Sequence, residues 1–205
     1  IRSDFYQAAM SFPDEVQKIQ RYFSADNATQ KVRANVAEGV NVPLYILGSS
    51  SDSAHLAAKK GLPYAFASHF ATAQLMNAFE IYHREFQPSE ALEKPYTLAG
   101  VNIIVADTDE EAEQLSTSLY KMIIGLLTGK RDYMQAPVEM TEELRELRQN
   151  PSVQNMLKYS FIGSKETVKT EIKAFMAATQ VDELIVVTNI YDGEDRIKSY
   201  QLFSE

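Results

Sequence analysis

Apolar positions along the chain switch between a helical and a strand-like period, and the switches mark its elements. From Phe12 the text runs FPDEVQKIQRYFS, with Val16, Ile19, Tyr22 and Phe23 at helical spacing, Pro13 suited to a first turn, and Asp14 and Glu15 at the dipole's positive end. An amphipathic helix is expected from Phe12. Residues 25–39 are polar and weakly patterned, after which VNVPLYILGSS gives a compact apolar run that predicts a buried strand over 44–47. DSAHLAAKK then predicts a short helix, stopped by Gly61 just past its end and kept from continuing by Pro63. PYAFASHF reads as a second strand. A longer helix is expected from about Ala71, with Leu75, Met76, Phe79, Ile81, Tyr82 and Phe86 as its apolar face, until Pro88 ends it.

The next strand, TLAGVNIIVAD, is apolar almost throughout, as required where both faces are covered, and this favours a parallel sheet. Thr108 and Glu111 have capping-box spacing, opening a helix through Tyr120 that can run on to Leu127. Patterning then fails. Residues 128–160 are rich in Gly, Pro, Gln, Asn and charge, with one short helical piece at 142–149, and read as a mobile insertion. Ser164 caps a helix through Ala178, DELIVVTNIYD supplies a last buried strand, and a closing helix covers 196–203. Repeated strand–helix alternation means βαβ units with right-handed crossovers, in either a barrel or a doubly wound sheet.

Composition narrows the function more than the fold. The 205 residues are 45% hydrophobic and 23% charged, ordinary values for one globular domain spanning 1–205. With 20 basic against 28 acidic residues the net charge is −8, which repels polyphosphate backbones and speaks against nucleic acid as a partner. The absence of cysteine removes disulfides, thiolate catalysis and Cys-based metal sites, and a cytoplasmic location is expected. The apolar run at 120–127 is broken by Lys121 and Gly125 and falls short of the ~20 residues a membrane span needs. The opening Ile1-Arg2-Ser3-Asp4 is neither a Met start nor a secretory leader, which suggests a fragment.

The segment ILGSSSDSAHLAAKKGLP places Gly48, Ser49, Ser50 and Ser51 between a strand end and a first helical turn. Free amides and the helix dipole there can accept a phosphate, with Ser49, Ser50 and Ser53 donating further hydrogen bonds. Serine also caps helices, and local sequence leaves both readings open.

The segment PLYILGSSSDSAHLAAKKGLPYAFASHF resembles strands five and six of the luciferase-like flavin-dependent monooxygenases. VNIIVADTDEEAEQL resembles their seventh strand and its helix, and GSKETVKTEIKAFMAATQVDELIVVTNIYDGEDRIKSYQLFSE resembles their ending. The resemblance implies an α/β fold, the C-terminal part of a (β/α)8 TIM barrel, with the active site at the C-terminal ends of the strands and the N-terminal strands outside this chain. It implies that Gly48, Ser49, Ser50 and Ser53 hold the phosphate of reduced FMN, and that Ala65, Phe66 and His69 lie on a strand lining the flavin or substrate cavity, where His69 is a candidate catalytic group. Lys130 and Arg131 fall where the family carries a mobile lid. The implied reaction uses reduced FMN from a separate flavin reductase, and dioxygen, to oxygenate a small organic substrate. A deazaflavin oxidoreductase on the same barrel and a non-catalytic flavin-binding or structural fragment are the alternatives. An exposed barrel edge would seek a partner, as a homodimer or with the missing N-terminal part. His55 and His83 fall on helices without a ligand pattern, so no metal is expected, and Asp107, Asp109, Glu110 and Glu111 read as a solvated helix start.

Overall fold

The computed structural model describes residues 5–205, so the opening residues 1–4, with their non-Met start, lie outside the described residues. The organising element is β3 (Thr97–Ala106), every residue of which is buried. A strand covered on both faces must be apolar, and TLAGVNIIVA is so except for Thr97 at its entrance and Asn102 in its middle. Three parallel strands pair with it: β2 (Tyr64–Phe66) along 97–99, β5 (Glu183–Val187) along 98–102 and β4 (Ser160–Ser164) along 102–106. Successive residues of a strand turn their backbone groups to opposite edges. Tyr96 C=O accepts from Tyr64 N–H and Thr97 C=O from Asp182 N–H, so β2 and β5 take opposite edges of β3. Asn102 N–H donates to Tyr159 C=O, which puts β4 on the β2 edge, beyond the point where β2 stops. With β1 (Ile46–Gly48) outside β2, the described residues form a five-stranded, all-parallel, open sheet with β1 and β5 at its margins.

Helices cover this sheet unevenly. Ala99, Val101, Ile103 and Val105, on one face of β3, join the main core with residues of α2 (Ser51–Lys60), α3 (Leu75–Glu85) and α7 (Lys165–Thr179). On the other face, Ile104 and Ala106 pack against Ala112, Leu119 and Ile123 of α4 (Asp109–Leu127) and Val153 of α6 (Pro151–Leu157). Leu98, Gly100 and Asn102 share that second face but belong to neither cluster.

Several expectations need correction. Helix α1 (Phe5–Phe23) begins well before Phe12 and carries Pro13 inside it, because Gln7, Ala8 and Met10 are good helix formers and one missing backbone hydrogen bond does not end the helix. The first strand is 46–48 rather than 44–47, since its ladder starts where Ile46 N–H reaches Pro63 C=O. The second stops at Phe66: Ser68 N–H turns back to Phe66 C=O and Ala71 N–H to Ala67 C=O, which leaves His69 in a turn and delays α3 to Leu75. The span 128–160 is not all insertion. It holds α5 (Glu142–Arg148) and α6, with Val153 only 3% exposed, and its last residue opens β4, a strand whose two serines and glycine masked it in the sequence. The last strand, expected to be buried, is half-exposed because it forms a sheet margin. The closing helix, α8 (Gly193–Ser204), starts earlier than expected, with the Asp192 carboxylate capping Glu194 and Asp195 N–H. Only half of the capping box at α4 forms: Thr108 Oγ1 accepts from Glu111 N–H, while the Glu111 carboxylate reaches Asp107 N–H instead.

Candidate functional site

The strand-to-helix turn after β1 is held open from inside. The Cβ of any other residue at Gly48 would stand 1.9 Å from Ser53 Oγ, so glycine is what lets α2 approach the strand end. Ser53 Oγ donates to Ser50 C=O at 2.6 Å, and the Tyr64 hydroxyl lies 3.0 Å from Ser53 Oγ and 3.2 Å from that carbonyl. Burial pushes the Tyr64 phenol up to about 12, so it stays neutral and remains a donor. Ser51 N–H is taken by Gln74 Oε1 at 3.1 Å. Ser50 occupies the N-cap position in an extended conformation, yet its side chain makes no capping hydrogen bond. Ser49 is exposed, Ser50 half-buried, and among the described residues neither hydroxyl has a partner. The expected set therefore divides: Ser49 and Ser50 are free at a helix N-terminus, while the Ser53 proton is committed within the chain.

The expected cavity strand divides as well. Ala65 pairs with Leu98, on the face away from the main core, whereas Phe66 is wholly buried in that core and meets Tyr64 edge-on at 6.4 Å. Phe66 thus packs under the helices. His69 lies beyond the strand end, its ring edge-on to Phe70 at 4.7 Å and its Nδ1 buried without a partner. Burial alone holds its pKa below the ordinary 6.5, so at neutral pH the ring is uncharged. An unpartnered buried Nδ1 disfavours a proton there, which leaves the proton on Nε2.

Sequence reasoning missed the residue beside it. Asn102 is 2% exposed; its Nδ2 donates to His69 C=O at 2.7 Å and lies 3.2 Å from Ser160 Oγ, and its Oδ1 accepts from Asn189 Nδ2 at 2.9 Å. The available signals were a lone amide inside an apolar strand and a Thr-Asn pair ending VVTN. Lys130 and Arg131 sit elsewhere, on a cavity of about 450 Å³ shared with Met122, Ile124, Met134 and Leu144. None of its lining residues belongs to the Ser49–Ser50 turn or the His69 cluster, and the length of α4, about 28 Å, separates them from Asp109. The segment is tethered on its way back: Thr117 Oγ1 bonds Val138 N–H at 2.9 Å, and Lys121 Nζ donates to Ala136 C=O at 3.2 Å. Thr72 Oγ1 ties the His69 turn to Asn155 C=O at 2.7 Å.

A family model described as luciferase-like monooxygenase matches residues 8–183. The chain belongs to the luciferase-like monooxygenase family. A luciferase-like monooxygenase of Escherichia coli (strain K12) is 35% identical over 192 residues, which are 94% of this chain and 57% of that protein. The crystal structure of apo-MsnO8 superposes with a TM-score of 0.80 at 22% identity, over 95% of this chain and 59% of its own. The oxygenating constituent of 3,6-diketocamphane monooxygenase from Pseudomonas putida, in complex with FMN, does so at 0.56 and 22% identity, over 82% of this chain and 49% of its own. These likenesses establish the luciferase-like barrel architecture for the described residues, with the sheet open. The chain spans under two thirds of the length of each of these proteins. Among the described residues no helix is long and apolar enough to cross a membrane.

Proposed function

We propose that this chain is the flavin-phosphate half of a monooxygenase that uses reduced FMN and dioxygen to oxygenate a small organic substrate. The observation that carries the reading is the pair of unengaged hydroxyls, Ser49 and Ser50, at the N-terminus of a helix that follows a parallel strand. Their donor chemistry fits a phosphate dianion, and the helix dipole adds to it. Ser53 supports the turn by holding the Ser50 carbonyl rather than by touching the ligand. Reduced FMN, when bound, supplies the electrons that activate dioxygen. His69, neutral and protonated on Nε2, has that nitrogen left to donate a hydrogen bond to a ligand, and the small Ala65 lies on the same face of the sheet. Strands from the rest of the protein close the sheet between β5 and β1, either within one subunit or across a dimer, and a separate reductase delivers the flavin in a cytoplasmic setting.

The test is FMN and riboflavin binding to the full-length protein and to its Ser49→Ala/Ser50→Ala variant. Each hydrogen bond to a charged phosphate is worth roughly 1.5–3 kcal/mol, so FMN should weaken at least tenfold while riboflavin is unchanged. Equal weakening of both ligands, or of neither, overturns the phosphate role. Running the titration with a deazaflavin cofactor in parallel separates the two cofactor readings. Lys130 and Arg131, expected as a lid, line a separate cavity beyond the far end of α4 and are left out of this proposed site.

A further inference from the structure

We infer that Asn102 is the positioning residue of this site: its amide holds the main chain at His69, seats the imidazole over Gly100, and joins the ends of three neighbouring segments into one floor. The inference deepens the flavin reading only where it concerns binding; the seating itself stands on geometry. A primary amide at 2% exposure inside an apolar strand is costly unless it is satisfied, and none of the groups that satisfy it belongs to β3. His69 C=O comes from the turn after β2, Ser160 Oγ from the start of β4, and Asn189 Nδ2 from just after β5. Asn102 is thus one side chain through which all three segments are joined.

Gly100 supplies the second half of the device. It lies two residues before Asn102 on the same face, and a Cβ there would stand 2.6 Å from His69 Nδ1. The glycine admits the ring; the asparagine two residues on holds its backbone. Ser68 Oγ donates to Gly100 C=O at 2.6 Å, fixing the turn from its other side. The outcome is an imidazole pressed onto bare backbone, with Nδ1 sealed and only Nε2 left for a ligand.

The first readout needs no cofactor. In the full-length protein, the ring C–H resonances of the three histidines are followed against pH by NMR, with His69→Gln assigning one set. Wild-type His69 should titrate below its ordinary midpoint of about 6.5 because it is seated in a dry place. In Asn102→Ala and Asn102→Ser the turn is released, and the His69 midpoint should rise to about 6.5. Ser160→Ala removes a core hydrogen bond but leaves the bond to His69, so it should leave the midpoint where it is; Gly100→Ala should raise it by displacing the ring. The second readout is FMN affinity for Asn102→Ala, His69→Ala and the double variant. If Asn102 acts through His69, each single change weakens FMN by about tenfold and the double by about tenfold rather than a hundredfold. An unchanged His69 midpoint in both Asn102 variants overturns the inference. A moved midpoint combined with FMN affinity indifferent to His69→Ala upholds the seating and overturns the role of His69 in flavin binding.

Discussion

At the start of α2 the chain reads Gly48-Ser49-Ser50-Ser51, and at the start of α7 it reads Gly163-Ser164-Lys165; both follow a parallel strand, and both carry Ser or Thr in the third helical position. At α7 the chain supplies its own anion: Asp109, from the first turn of α4, accepts from Ser164 N–H at 2.6 Å and lies 3.2 Å from Thr167 Oγ1. Ser164 Oγ also caps Thr167 N–H. At α2 the helix's own Asp52 stands in the first turn, but among the described residues no carboxylate bonds the turn; a neutral amide, Gln74, takes one N–H, and the Ser49 and Ser50 hydroxyls are left over. The same local grammar thus gives one closed helix end that joins two βα units and one open end suited to an anion from outside. What distinguishes them is a residue far away in sequence, so the difference belongs to tertiary structure.

Substituting the two glycines should separate the turns most strongly. In Gly48→Ala the new methyl meets Ser53 Cβ at 2.2 Å as well as its Oγ, so relief requires moving α2 itself, and overpacking of this kind costs about 1–3 kcal/mol. In Gly163→Ala it meets Asp109 Oδ1 at 2.7 Å, the Thr167 methyl at 2.8 Å and Thr167 Cβ at 3.0 Å, contacts much less severe than the 1.9 and 2.2 Å at Gly48. Denaturant unfolding should rank Gly48→Ala as clearly the more damaging. Equal losses would mean that α2 is not pinned by Ser53.

Asp109→Ala comes next. Hydrogen bonds from Ser164 and Thr167 hold the Asp109 carboxyl below its ordinary 3.8. A carboxylate depressed in the folded state stabilises it at every pH above the unfolded value, and that contribution is lost as pH falls through the folded one. The stability gap between wild type and Asp109→Ala should therefore be flat from neutral pH down to about 5 and should close below 3.8, as the wild-type group protonates. The variant should also gain more thermal stability from added inorganic phosphate than wild type does, since its α7 end has been made to resemble the α2 end. A gap that persists into strong acid would show that Asp109 acts by packing instead of charge.

How much of this was legible in the sequence depends on the distance over which each feature is determined. The long buried strand and the helix stopped by Gly61, whose φ of 59° is the left-handed conformation glycine favours, follow from local text and were read correctly. β4 escaped because SFIGS has only two large apolar residues among two serines and a glycine, and it pairs along the edge that β3 offers where it extends past β2. Ser53 read as a phosphate ligand because its spacing suits one; its commitment to Ser50 C=O is set by Tyr64 behind it. Asn102 was visible as an oddity, but an amide within an apolar run does not name its partners, which lie 33 to 87 positions away.

The smallest effect on stability should come from the two N-cap serines, and here the contrast between the turns becomes sharpest. Ser164 Oγ satisfies Thr167 N–H, and loss of such a cap costs about 1 kcal/mol, so Ser164→Ala should lower the unfolding free energy by roughly that amount. Ser50 sits at the equivalent position of α2, yet among the described residues its hydroxyl has no partner, and Ser50→Ala should leave stability within about 0.5 kcal/mol of wild type. If α2 merely had a poor cap, that would be the whole effect of the substitution. If the helix end is kept open for a phosphate, the same variant loses FMN affinity while its unfolding curve in the absence of ligand overlays that of wild type. Unfolding with and without FMN measures both quantities on one sample, because a ligand bound only by the folded state raises the unfolding free energy according to its affinity. A stability loss for Ser50→Ala equal to that for Ser164→Ala would make both serines ordinary caps and erase the distinction between the two turns.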